Sequence, residues 1–519
     1  MKHWTAILLA SCLMLGPAAQ GAHPQKPLWQ TVRDYRQQHE TDIIREFVEL
    51  LSIPNIASDR ENIGRNAEFL KILLERRGFS VRLMETAGNP VVFGERTVPG
   101  AGRTLLFYIH YDGQPVDPAQ WTGTKPFLPA LRPGKLQAGT TVPAPIPFPA
   151  AGGKYEDDWR IYGRSSSDDK APFVCLLTAL DALRDRGLAL QNNIKVILDG
   201  EEEAGSVNLF PFLEKHRDLF RSDVLFMCDG PAYYSGDPTL FFGARGITSL
   251  EVTVYGPDTS LHSGHYGNWA PNPAILLSHL LASLRDPDGR VRVKGFYDTE
   301  IPLTETELRA VRAVPSYEDE IKKTYGFSGN EDAWPSLMEA IQHPALNVNG
   351  LSSGAVGRQA TTSIPATATA HLDIRLVKGN DPADMAAKVI EHIRGLGYHV
   401  QDKDPDRETR GRYKLIAKVT GGQGGYAASR TSMDLPLCRM VIDSLTRSSR
   451  RPPILLPTLG GSLPIVHFQR LLGAPIIGVA LANHDNNQHQ QDENIRLGHL
   501  WQGIETLAAL LMTGDQDRH

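Results

Sequence analysis

Asp199-Gly200-Glu201-Glu202-Glu203-Ala204-Gly205-Ser206 follows directly on Ile194-Lys195-Val196-Ile197-Leu198, and these two runs together decide the fold. The apolar run reads as a short buried strand. Three successive carboxylates at the end of such a strand repel one another unless solvent, basic partners or a metal sits among them. In open α/β sheets, ligands lie beyond the carboxyl ends of the strands. A lone triple glutamate is more often a solvated acidic turn, so the reading depends on whether the chain repeats the pattern.

It does. Thr104-Leu105-Leu106-Phe107-Tyr108-Ile109 ends in His110-Tyr111-Asp112-Gly113, and Val224-Leu225-Phe226-Met227-Cys228 ends in Asp229-Gly230-Pro231. Between them, Ser165-Ser166-Ser167-Asp168-Asp169-Lys170 leads into an apolar helix over residues 172–184, where the serines and Asp168 also suit a plain helix cap. Helical spacing over residues 41–51 and 66–77, with alternating strands at 79–84 and 90–93, precedes this series. The repetition predicts an α/β fold: a three-layer α/β/α domain with its site on one edge of the sheet. Residues 128–153, rich in proline, glycine and alanine, read as an irregular surface loop with no core of its own.

The texture changes at Gly246. Residues 248–255 alternate strictly, as a strand covered on one face does. A helix over 273–284, a polar stretch from 304 to 342, a second alternating strand at 367–376, a helix over 383–393 and a strand near 414–419 follow. This order predicts a smaller, ferredoxin-like α+β domain inserted in the first. The boundaries expected are a leader at 1–22, a first catalytic part at 23–245, the insert at 246–428, and a second catalytic part at 429–519 that ends in a helix over 500–512.

A chain of 519 residues exceeds one ordinary core. Its net charge of −5 gives no electrostatic reason to expect nucleic acid or an anionic membrane as partner. Lys2 and His3 precede an apolar run over residues 4–15 and then small residues to Ala22, the pattern of a secretory signal peptide cleaved after Gly21 or Ala22. The run is shorter than the ~20 apolar residues a bilayer needs, so no integral span is expected in the mature chain. Export to the periplasm follows as the expected location. Leu9-Ala10-Ser11-Cys12 offers a second reading, a lipoprotein anchored at Cys12. The remaining cysteines, Cys175, Cys228 and Cys438, are too few and odd in number for a disulfide framework, and Cys175 reads as a core thiol.

His110, Asp168, Glu202, Glu203 and Asp229, joined by a histidine from Gln488-His489-Gln490-Gln491-Asp492-Glu493-Asn494, form a mixed nitrogen and oxygen ligand set. Such a set suits zinc, and also manganese or cobalt. In these ordered motifs the chain resembles the M20 di-zinc metallopeptidases, especially their carnosinase-like dipeptidase branch. The resemblance spans essentially all of the mature chain. It implies two divalent ions, one held by His110, Asp168 and Asp229, the other by Asp168, Glu203 and His489, with His484 a rival for the last position. Asp168 then bridges, Asp112 fixes the tautomer of His110, and Glu202 is the general base for a water shared by the metals. It also implies a cis peptide between Asp168 and Asp169, and leaves Glu201 without a role and solvated.

From the insert, which serves this family as lid and dimer interface, the resemblance implies His262 reaching a partner's site to steady the oxyanion, with His265 its local rival. Arg375 would bind a substrate carboxylate, and Ser462, in Gly460-Gly461-Ser462-Leu463-Pro464, would face the substrate. Ser165 and Ala171 depart from the family pattern, standing where glycines are common. The function implied is hydrolysis of dipeptides or short peptides with a free carboxylate by a homodimer. An N-acyl amino-acid deacylase and an inactive peptide-binding protein of the same fold are the alternatives.

Overall fold

A computed structural model describes Met1 and residues 26–136 and 142–514, so the leader and Cys12 lie outside the described residues. Helix α1 (Leu28–Leu51) is longer than its apolar spacing indicated, because a buried Arg36–Glu40 ion pair continues the inward face where apolar residues would have shown the period. Helix α2 (Arg60–Glu75) starts on the Asp59 side chain, which accepts from the Asn62 amide.

Strands β1 (Ser80–Met84), β2 (Val91–Arg96), β3 (Thr104–His110), β4 (Asn193–Asp199), β5 (Val224–Met227) and β6 (Thr239–Phe241) belong to one eight-stranded sheet. The chain then enters the insert on β7 (Gly243–Tyr255), followed by β8 (Ala345–Ser352), β9 (Thr367–Leu376), β10 (His399–Gln401) and β11 (Ile416–Gly421). It returns with β12 (Ile454–Leu456) and β13 (Ile476–Ala480), completing the first sheet in the order β1-β2-β4-β3-β5-β13-β6-β12. The four middle strands, β4, β3, β5 and β13, are mutually parallel.

Both faces of that parallel centre are buried, as crossover helices require. Leu105, Phe107, Ile109, Val196, Leu198 and Phe226 face α1, α2, the helix Lys170–Asp185 and the C-terminal helix Leu497–Leu511. Leu106, Tyr108, Ile197, Leu225 and Met227 face the helices Leu209–Lys215 and Ile465–Leu472. This alternation within each strand is the period of two, with apolar residues in both phases. Cys175 is buried in the helix Lys170–Asp185, and Cys228 and Cys438 are likewise buried and free.

In the insert the order is β8-β9-β7-β11-β10, antiparallel except for β10 with β11. Helices Pro273–Leu284 and Pro382–Gly395 cover one face through Leu277, Leu280, Met385 and Val389, which meet Leu250, Val252, Leu372 and Ile374. β7 also serves the larger domain, since Gly243 and Ala244 pair with Ser429–Arg430, and Ala244 and Arg245 with Leu459–Ser462.

Three features differ from the sequence reading. β8 was not expected, because its Asn-Val-Asn-Gly centre is bulged and mostly exposed. The polar stretch 304–342 holds the short helices Glu305–Ala313, Glu318–Tyr325 and Leu337–Ala340, whose few buried positions give no apolar stripe. Within 128–153, Ala130–Arg132 is a buried strand paired with Arg160–Tyr162, and Arg132 donates to the carbonyls of Thr122, Gly123 and Pro143. That segment therefore has an anchored core position and is not wholly irregular.

Candidate active site

The carboxyl ends of β3, β4 and β5 deliver His110, the Glu201–Glu203 turn and Asp229 to one place, as the parallel register dictates. Gly200 allows the turn to pass Tyr111, because a Cβ there would lie 2.4 Å from the Tyr111 hydroxyl. Asp168 arrives from the loop before the helix Lys170–Asp185, and its peptide bond to Asp169 is cis.

His110, Asp168 and Asp229 form one group and Asp168, Glu203 and His489 another, each offering ligand atoms within 4.8 Å of one another. His110 Nε2 is 2.8 Å from Asp168 Oδ1. His489 Nε2 is 3.1 Å from Asp168 Oδ2 and 3.4 Å from Glu203 Oε2. The His489 contact lacks hydrogen-bond alignment, so the buried Asp168 Oδ2 has no such partner and is open to a cation. His489 takes a left-handed backbone, φ 61°, in a loop fixed by Asn494 bonding to the carbonyls of Asn486 and Asp492. His484 instead packs its ring on Tyr234 and stands outside both groups.

Asp112 divides its bonds differently from the tautomer-fixing role. Its two carboxylate oxygens accept from the amides of Glu202 and Glu203, each at 3.0 Å. His110 Nδ1 lies 3.2 Å from the Asp112 backbone carbonyl and 3.5 Å from its carboxylate. The same acid thus orients the imidazole chiefly through its main chain and sets the glutamate turn with its side chain. Glu201 is not solvated. It is buried, and its carboxylate accepts from Asn208 and from the Asn89 amide, tying the turn to the β1–β2 connection. Gln114 donates to Glu203 at 2.8 Å.

Glu493, quoted beside His489 but assigned no role, is fully buried and takes five hydrogen bonds. They come from Arg164 Nη1, the amides of Ser165, Ser167 and Asp168, and the Ser167 hydroxyl. It holds the loop that presents Asp168. Ser165 in that loop has φ 61°, the region that favours glycine, which accounts for its being a departure from the family pattern. The serine is held by Glu493 and by Asn55 Nδ2, which donates to its hydroxyl at 2.8 Å.

Burial raises the Glu203 carboxyl to about 7 and Asp229 to about 6, with the Asp168 charge adding to each. Burial also pushes Glu202 well above the usual range, with His110 opposing and Asp229, Glu203 and Asp168 adding. The Asp168 carboxylate 3.1 Å away lifts His489 to about 9. Burial works against the Asp168 carboxylate, but the hydrogen bond from His110 and the adjacent His489 imidazole hold it below its ordinary value. Acids that take up protons for want of a counter-charge, arranged with imidazoles around one shared carboxylate, fit a pair of divalent cations.

A pH dependence follows with a definite sign. Glu203, Asp229 and His489 all have folded pKa values above their ordinary ones, so these three groups bind more protons in the metal-free fold than in the unfolded chain, and their contribution to stability is lost as pH rises through about 6, 7 and 9. Lys170, lowered to about 7 by burial, works the other way above neutrality. Thermal melts of chelated protein should drop most between about pH 5 and 7, with added divalent metal restoring stability at the alkaline end. A melting temperature that climbs across the window contradicts this charge distribution.

The insert residues lie differently. Arg375 is half-buried; its Nε donates to Asp373 at 3.0 Å and its Nη1 to the Ser462 hydroxyl at 2.8 Å. Ser462 donates in turn to the Gly246 carbonyl, so its hydroxyl supports Arg375 and its own proton is already committed. His262 is exposed, caps the short helix Ser263–Tyr266, stacks obliquely on His265 at 4.7 Å, and belongs to neither group around Asp168. Trp269, a few residues on, is 81% exposed. Among the described residues no helix is long and apolar enough to cross a membrane.

Residues 242–400 match the family described as the peptidase dimerisation domain, M20 type. The chain is 25% identical to the Beta-Ala-His dipeptidase of Homo sapiens over 534 aligned positions, covering 98% of this chain and 97% of that protein. It is 25% identical to the Cys-Gly metallodipeptidase of Candida albicans, covering 94% and 97%. Among solved structures it superposes on an M20 family metallo-carboxypeptidase from Sulfolobus solfataricus with a TM-score of 0.68 at 28% identity, covering 91% of this chain and 98% of the other.

Proposed function

Because this chain belongs to the M20 metallopeptidases and is a metal-dependent hydrolase, we propose that it hydrolyses the amide bond of dipeptides or short peptides bearing a free C-terminal carboxylate. The carrying observation is the placement of Glu202 beside two ligand groups that share Asp168, in a chain similar over almost its full length to two named dipeptidases.

In this reading His110 and Asp229 hold one divalent ion, Glu203 and His489 the other, and Asp168 serves both, with zinc the first choice and manganese or cobalt the alternatives. When bound, such ions would polarise a scissile carbonyl and favour ionisation of water. Glu202 would act as the general base, taking a proton from the attacking water and passing it to the departing amine nitrogen. Asp112 keeps Glu202 and its neighbour Glu203 on separate tasks by fixing both of their amides. Arg375 receives the substrate carboxylate.

His262 acts in trans, from a second copy docked through the insert, where it steadies the oxyanion of the tetrahedral species. Its exposed position on the segment matched as a dimerisation domain supports this, as does exposed Trp269 nearby. The basic start and apolar run of residues 2–22 support export, with the periplasm as working compartment.

The test is a substrate panel of β-alanyl-histidine, cysteinylglycine and simple dipeptides set against N-acetyl and N-succinyl amino acids, before and after chelation. Dipeptides should be cleaved fastest, with activity lost on chelation and recovered with added metal. Preference for the N-acyl compounds makes the enzyme a deacylase, and indifference to chelation removes the mechanism. In the same assay, mixing His262→Ala with Glu202→Gln subunits should restore one good site per heterodimer, and verified heterodimers without recovery rule out action in trans.

A further inference from the structure

The segment Gly421-Gly422-Gln423-Gly424-Gly425-Tyr426 closes the insert, and neither the motifs nor the mechanism above use it. It is docked on β7 closely enough to demand glycine: at Gly425, φ 109°, a Cβ would stand 2.1 Å from the Ile247 carbonyl oxygen. Tyr426 and Ile247 exchange two backbone hydrogen bonds of 3.0 Å. On the other side of Ile247, β9 places Arg375 directly opposite.

Residues facing one another across a ladder point to the same side of the sheet, with Cβ atoms about 4.5–5.5 Å apart at each step. Arg375 and Tyr426 therefore flank Ile247 on one face. It is the face opposite the insert core, because Leu250, Val252, Leu372 and Ile374 take the other phase. The phenol of Tyr426 is half-buried and has no hydrogen-bond partner among the described residues. Burial raises it to about 12, with the Arg375 guanidinium opposing and the Glu202 carboxylate adding, so it senses both the carboxylate-binding arginine and the base.

Arg375 cannot grip a carboxylate through its Nε side, because Nε is committed to Asp373; Nη1 spends one of its two N–H on Ser462, and Nη2 carries no hydrogen bond among the described residues. Nη2 is therefore the readiest donor to one carboxylate oxygen, and the other oxygen keeps room for a further donor. We propose that Tyr426 is that donor, a substrate-binding residue whose hydroxyl completes, with Arg375 Nη2, a two-point seat for the terminal carboxylate. This assignment rests on the dipeptidase reading above.

The experiment is Tyr426→Phe, read by steady-state kinetics on the best dipeptide of the panel and by calorimetric binding of that dipeptide to the metal-loaded protein in a Glu202→Gln background. Loss of one hydrogen bond to a charged group should raise KM and the dissociation constant about 10-fold or more. kcat should stay within about twofold and the melting temperature should not move. Inhibition by the free amino-acid product should weaken by the same factor, and inhibition by the amino-acid amide should weaken less. Unchanged KM and binding overturn the assignment, as does a fall in kcat with KM unchanged. Failure of the dipeptidase reading is distinguishable, because wild-type protein would then neither cleave nor bind the dipeptides of the panel.

Discussion

Glu202→Gln is expected to lower kcat by about 10²–10⁴-fold, the usual worth of a positioned general base, while bound metal and melting temperature stay at wild-type values. The amide keeps the shape and volume of the side chain, and the turn beneath it is fixed independently by Asp112 through the amides of Glu202 and Glu203. Glu203, which faces Asp168 and His489, is untouched. The loss therefore isolates proton transfer from metal binding. Kinetics paired with elemental analysis of the same preparation checks it. Near-normal turnover with both ions present would mean that another group accepts the proton.

Glu493→Ala is the second large effect, and it falls on stability. It strips a fully buried carboxylate that answers Arg164 and three backbone amides, leaving a guanidinium about 3% exposed without its counter-ion. Removing one partner of such a pair costs about 3–5 kcal/mol. The loop it holds presents Asp168 to both ligand groups, so metal affinity falls as well. Denaturant unfolding of wild type and variant, each with saturating metal, measures the first loss, and metal titration the second. Glu493→Gln should fall between the two, since it retains an acceptor oxygen and surrenders the charge. A variant that unfolds at the wild-type midpoint with full metal content would show that the loop is held by other means.

The parts of the fold that were legible in the sequence are those whose signal is local. The apolar strands of the parallel centre and their polar ends could be read because burial on both faces leaves uninterrupted apolar runs. The insert strands β7 and β9 could be read because one covered face imposes strict alternation. What escaped were elements stabilised by polar contacts. The N-terminal half of α1 buries the Arg36–Glu40 pair, the helix Glu305–Ala313 relies on a Thr304–Glu307 capping box, and Ala130–Arg132 is anchored by Arg132 to three carbonyls.

The candidate site divides in the same way. Histidines and acids at strand ends announce themselves by residue type. Residues acting through position do not: Glu493 looks like one more acid in a polar loop, Glu201 like a solvated neighbour of Glu202, and Tyr426 like a lone aromatic after glycines. Each acquires meaning only when distant segments meet, as Arg164 and Glu493 do across more than three hundred residues of chain.

β7 enters the larger domain's pairing at Gly243–Arg245 and the insert's at Gly246 onward without a break. An insert joined in this way is continuous at this strand with the larger domain's pairing, so any movement of it would pivot about the strand itself. Ile247, with Arg375 and Tyr426 at its flanks, sits at that pivot, whereas His262 lies beyond the far end of the same strand. Under the proposed function, closing of the insert would carry the tip through the longest arc and leave the proposed seat for the peptide's carboxylate almost stationary, so that the substrate would be held by its end while the rest of the cleft adjusts.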